Sequence, residues 1–248
     1  MLTKPIYMPD NLSAAPIDFA WSDEIASSLL GDYDELPTRL NNAISATNYK
    51  ANATLTLAAL EWVIYRLGGH TNIHDALHRV EAAWASIIDK RYARCLDFDD
   101  VRNDVDCKGN PDGPLQTALC VLEDMHFALS NDRANLGLTT LQATYLAQLV
   151  LPTASGYEDW LRRTLEALTA AYPLSPSFVP YSDTYDHSAE PPIPRAWFES
   201  LTVPPNAAAD HAAWDTFLRG LNPDDNPYLV PADEMRANGF VGKPYRMN

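Results

Sequence analysis

Through the first two-thirds of the chain, apolar residues recur at spacings of three and four, the period of an α-helix. Residues 51–67, ANATLTLAALEWVIYRL, carry two such stripes: Leu57, Leu60, Ile64 and Leu67 form one, and Leu55, Ala59 and Trp62 the other. A helix apolar on two sides belongs at the centre of a bundle. Gly68-Gly69 marks its C-terminal stop. Residues 72–89 carry a single seam of Ile73, Leu77, Val80, Trp84 and Ile87. Only Gly68, Gly69, His70 and Thr71 connect the two segments, which predicts an antiparallel pair.

The same reading extends outward. Ser22 followed by Asp23 and Glu24 opens a short helix that Gly31 stops, and a second short segment covers Asp34 to Ala46. Pro114 suits the first turn of a helix over 114–129, with Leu115, Leu119, Leu122, His126 and Leu129 on its core face. A helix over 139–150 aligns Leu141, Tyr145 and Leu149, and Pro152 ends it. Ser155 and Glu158 have the spacing of a capping box for a helix running to Tyr172, which Pro173 terminates.

Composition changes at that point. Of 19 prolines, 12 fall in residues 173–248, where they reset the backbone every few residues. Three short helices are expected there, at 194–201, 207–219 and 231–238, with Asn206 capping the second. Trp197, Phe198, Trp214 and Phe217 are the expected anchors, each stabilising by about 1.5–3 kcal/mol when buried. No segment alternates apolar and polar residues with β-branched enrichment, so strands should be few. The expected fold is all-α: an irregular helical bundle over 1–172, with a proline-rich, loop-dominated C-terminal segment, 173–248, packed on it as part of one structural domain.

Charge narrows the function classes. Lys and Arg number 18 against 33 Asp and Glu, a net charge of −15. Such a chain is poorly suited to nucleic acid, whose phosphates call for clustered cations, or to an anionic membrane surface. The N-terminal run MLTKPIYMPDNLSAAPIDFAW lacks the apolar core of a signal peptide, and no 18-residue apolar run occurs. Cys95, Cys107 and Cys120 are too few for a disulfide framework and fit no zinc spacing, so they read as reduced thiols of a cytoplasmic protein.

Three clusters are candidates for chemistry. His74 and His78, one helical turn apart with Glu81 beyond, have the spacing of a two-histidine metal site, but Asp75 stands where a zincin helix carries glutamate. Partly exposed histidines flanking the seam are the plainer reading. Asp97, Asp99, Asp100, Asp104 and Asp106 repel one another and would gain from a cation or a basic protein surface. A calcium loop does not fit them, because Lys108 occupies a ligand position and Leu115 stands in the place of the bidentate glutamate. Asp32, Asp34 and Glu35 add to the acidic character. Glu61, inside the apolar run LAALEWVIYRL, reads either as a buried acid with a raised pKa or as a member of an exposed strip paired with Arg66 or Arg91. The exposed strip is the expectation. No phosphate loop and no G-x-S-x-G elbow occur, and no cofactor is expected.

The run ALEWVIYRLGGHTNIHDALHRVEAAWASIIDKRYA resembles acidic helical bacterial immunity proteins, encoded beside polymorphic or contact-delivered toxins. The resemblance extends over about residues 51–172 and lies in general pattern. It transfers no functional residue. It implies a cytoplasmic antitoxin that binds one toxin domain and blocks its active site. Asp97, Asp99, Asp100, Asp104 and Asp106, with Asp32, Asp34 and Glu35, would then meet a basic surface of the partner. A helical metal-dependent enzyme built on His74 and His78, and a helical scaffold with a docking tail, are the competing expectations.

Overall fold

The computed structural model describes residues 2–31, 38–96, 109–134, 136–179 and 182–247. Among them are ten α-helices and no strand: α1 (Asp23–Leu30), α2 (Thr38–Ser45), α3 (Tyr49–Leu67), α4 (His74–Ser86), α5 (Asp112–Ser130), α6 (Gly137–Val150), α7 (Tyr157–Ala171), α8 (Trp197–Ser200), α9 (Ala207–Gly220) and α10 (Ala232–Ala237). The β contacts described are three isolated bridges, one of them Thr47 with Pro173.

α3 is the axis of the molecule, as its two apolar stripes predict. Every residue of it except Tyr65 is buried. It packs against α4, α5 and α6, and α5 also touches α4, α6 and α1. The helix begins at Tyr49, two residues before the pattern suggests, because two side chains take up its first amides. Asn48 Oδ1 accepts from the amide of Ala51 at 2.8 Å, and Glu190 Oε2 accepts from the amide of Lys50 at 2.9 Å. Glu190 lies 140 residues downstream. Its carboxylate also accepts from the hydroxyl of Tyr185, and its carbonyl accepts from Lys50 Nζ. No local pattern contains such a cap.

The turn between α3 and α4 depends on glycine for space. Gly68 stays in right-handed geometry, so it is not a left-handed stop. At Gly69, a Cβ would sit 2.1 Å from the carbonyl oxygen of Ser13, so the N-terminal segment can cross here only above a residue without a side chain. The seam of α4 is buried at Leu77, Val80, Trp84 and Ile87. Trp84 reaches Glu61, so α4 folds back along α3.

α6 departs from its predicted face. Leu141 is buried, but Tyr145 is half-buried and Leu149 is 46% exposed. The helix turns Thr140, Ala143, Thr144 and Ala147 inward, all at 0% exposure. These short side chains let α6 approach α3 closely, and their hydroxyls are satisfied within the interface. Thr56 Oγ1 donates to Thr140 Oγ1 at 3.0 Å, and Thr144 Oγ1 donates to the carbonyl of Leu141 at 2.8 Å.

The start of α7 also differs from the capping box. Ser155 closes a one-turn 3-10 helix, its amide already donating to the carbonyl of Pro152, and its hydroxyl accepts from the amide of Tyr157. Gly156, at φ 80°, then supplies the left-handed turn into the helix. Downstream of residue 173, Trp197, Phe198 and Trp214 are buried and Phe217 is half-buried. Asn206 caps α9 by accepting from the amide of Ala209. One continuous core runs from Met8 to Phe240. No helix among the described residues is long and apolar enough to cross a membrane.

Candidate functional site

Glu61 is the most enclosed charged group among the sequence candidates, and it does not lie on an exposed strip. Its side chain is 0% exposed, because α3 is covered on all sides. Trp84 Nε1 donates to Oε1 at 2.6 Å. Arg195 supplies the rest: Nε donates to Oε1 at 2.8 Å, and Nη2 to Oε2 at 2.6 Å. Arg195 Nη2 also donates to the carbonyl of Thr3 at 2.6 Å, so the N-terminal segment joins the same centre. The expected partners are engaged elsewhere. Arg66 donates to the carbonyls of Ala15 at 2.7 Å and Pro16 at 2.5 Å, and Arg91 pairs with Asp89.

The electrostatics follow from this geometry. Burial works against the Arg195 charge, but the Glu61 carboxylate and its hydrogen bonds outweigh it and hold the guanidinium above its ordinary range. Burial, and after it the Glu61 charge, pushes the Tyr7 and Tyr65 phenols well up. A carboxylate clamped by a guanidinium and an indole is a joint between segments; its oxygens are already occupied by donors. Beside it lies a cavity of about 340 Å³, whose walls include Thr3, Glu81, Arg195 and Glu199.

His74 and His78 are brought together, their ring centroids 4.3 Å apart and their planes at 70°. They are not equivalent: His74 is exposed and His78 is buried, at 7%. Burial first, then the neighbouring His74, holds His78 below its usual range. Glu81 is drawn to the other end of the chain, where Asn226 Nδ2 donates to its Oε2 at 2.9 Å and to the carbonyl of His78 at 2.8 Å. Among the described residues, no group of three or more His, Cys, Asp and Glu side chains is arranged to hold a metal ion.

Asp97, Asp99, Asp100, Asp104, Asp106, Asp32, Asp34 and Glu35 all lie outside the described residues, as does Cys107. Of the other cysteines, Cys95 is exposed and Cys120 half-buried.

One concavity was not among the sequence candidates. α2, α6 and α7 enclose a groove of about 790 Å³. Leu40, Ala43, Tyr145, Leu161 and Leu165 form its apolar floor, and Arg39, Glu158, Arg162 and Glu166 its rim. α7 buries Tyr157, Trp160, Leu161, Leu165 and Leu168 and leaves Glu158, Arg162 and Glu166 at the edge. Arg162 is engaged by Asp159 at 2.6 Å and by Glu166 at 3.1 Å. Arg39 and Glu158 form no ion pair among the described residues. The sequence signal is Tyr145, a large residue on a helix whose Thr and Ala residues define the buried face.

Searches against protein-family models, curated proteins and solved structures returned no match to this chain.

Proposed function

We propose that the chain is a non-enzymatic binding protein of the immunity type, which occupies and blocks a partner protein with a basic active-site surface. The groove between α2, α6 and α7 carries this reading: an apolar floor open at the surface, edged by charges of both signs, is the form of a protein-docking surface. The net charge of −15 indicates the sign of the partner, since opposite potentials speed encounter and exclude acidic competitors. The acidic segment from Asp97 to Asp106, with Asp32, Asp34 and Glu35, is the proposed source of the steering charge. The resemblance of residues 51–172 to immunity proteins supports the same choice. Glu61, a candidate for chemistry in the sequence, is engaged by Arg195 and Trp84 as an internal joint.

The test is co-purification with the protein encoded beside this one, followed by titration of the complex with salt. A complex whose association slows as ionic strength rises is expected, because screening shortens the range of the steering field. Absence of a complex with that neighbour, or association indifferent to salt, overturns the proposal.

A further inference from the structure

The groove has a length and a charge pattern as well as a volume, and together they restrict what fills it. On α7 its lining residues run from Glu158 to Thr169, eleven positions, or about 16 Å at 1.5 Å per residue. That is about three turns of a helix. On α6 the lining residues are Tyr145 and Gln148. Along the rim, Arg162 and Glu166 satisfy one another, while Arg39 and Glu158 form no ion pair among the described residues. The surface therefore offers a strip of three-turn length, apolar in the middle, with one cation and one anion that form no ion pair among the described residues.

We infer that this groove receives one amphipathic helix of a net-basic partner protein. The helix lays apolar side chains spaced i, i+4, i+7 and i+11 on Leu40, Ala43, Tyr145 and Leu165, and sets an acidic residue against Arg39 and a basic residue against Glu158. The inference rests on the binding role proposed above and names the element of the partner that docks. Charge decides against the alternatives. A fatty acid or other single-headed lipid presents one sign, and the rim asks for two. A second copy of this chain would bring another −15 to the contact.

The probe is a display library of helical peptides about sixteen residues long, with leucine fixed at i, i+4, i+7 and i+11 and the other positions random, selected against the full chain. Enriched peptides should carry one acidic and one basic residue at fixed offsets from the leucines. Their affinity should fall about tenfold or more in Ala43→Arg, which fills the floor, and in Arg39→Glu, which reverses the exposed rim cation. Changing the peptide's acidic residue to lysine should restore binding to Arg39→Glu, while Asp233→Lys, on α10, should leave it unchanged. Arg39 is exposed, so its variant keeps the test valid even where Ala43→Arg disturbs folding. No enrichment, enriched peptides indifferent to both substitutions, or a self-associated chain with its groove covered overturns the inference. If a partner recovered by co-purification binds both variants as tightly as the wild type, helix docking fails and the binding role stands. If no partner is recovered at all, the binding role itself fails.

Discussion

Arg195 reaches back across 134 residues to clamp Glu61, with Nη2 2.6 Å from Oε2 and Nε 2.8 Å from Oε1. The acid is wholly buried and the guanidinium nearly so, at 16% side-chain exposure. Attraction between the two offsets a large desolvation cost, and the indole of Trp84 satisfies a further lone pair. Removing one partner leaves the other charged and enclosed. Arg195→Met and Glu61→Leu, made singly, should therefore each cost about 3–5 kcal/mol. The double substitution Glu61→Leu with Arg195→Met should recover most of that loss, since a buried pair is often replaceable by apolar residues of similar size. Urea denaturation of the two single variants and the double variant measures the difference. Equal losses in single and double variants would mean that packing, and not charge pairing, holds this joint.

Gly69 makes a separate prediction because the obstruction is backbone. A Cβ there would lie 2.1 Å from the Ser13 carbonyl oxygen, which cannot swing aside as a side chain does. Gly69→Ala should destabilise by roughly 1–3 kcal/mol, the usual cost of forced overpacking, and should loosen residues 13–16. At Gly68 the nearest obstacle, at 2.7 Å, is the terminal methyl of Ile73, which can rotate. Gly68→Ala should be the milder change. Thermal melts of the two variants, with hydrogen exchange at Arg66 and Ala15, test the ranking.

Much of this fold is legible in the chain because its signals are local. The periods of α3 and α4, the Ser22 and Asn206 caps and the terminating role of Gly31 are all set by neighbours within a few residues. The exceptions have distant causes. Glu61 resembles a surface acid until Arg195 is brought to it, and α3 begins early because Glu190 caps it from 140 residues away. On α6, large apolar residues suggested the buried face, but close approach to α3 favoured threonine and alanine. With small residues at that interface, Tyr145 is left to line the groove and Leu149 stands exposed. A concavity formed by three helix edges has no periodic signature in any one of them.

The stacking of His187 on Tyr49, ring centroids 4.7 Å apart and planes within 6°, carries a pH dependence. Burial, and then the Lys50 charge, lowers the His187 pKa, while Asp132 at 3.3 Å and Glu190 act in the opposite sense. His78 is lowered as well, by burial and by His74, against Glu81 and Asp75. A base whose folded pKa lies below its unfolded value of about 6.5 binds more protons when unfolded. Its contribution is complete above that value and declines as the pH falls through it towards the folded pKa. Urea midpoints should therefore fall between about pH 7.5 and pH 5.5, and His187→Phe, which keeps the ring stack, should flatten part of the slope. An unchanged slope in that variant would assign the whole effect to other groups.

Removing residues 173–248 distinguishes a docking arm from an integral part of the core. The deleted segment contains Glu190, which caps α3, and Arg195, which neutralises Glu61. It also contains Trp197, Phe198 and Trp214, all buried. Phe198 and Trp214 pack on Trp84, the residue whose indole completes the Glu61 site. Each large side chain withdrawn exposes apolar surface worth about 1.5–3 kcal/mol, and the unpaired Glu61 adds its own penalty of several kcal/mol. Against a typical total stability of about 5–15 kcal/mol, the sum leaves no folded remainder. The truncated chain should lose its cooperative melt and aggregate. A fragment 1–172 that stays monomeric and melts cooperatively would instead mean that residues 173–248 are an appendage available for docking.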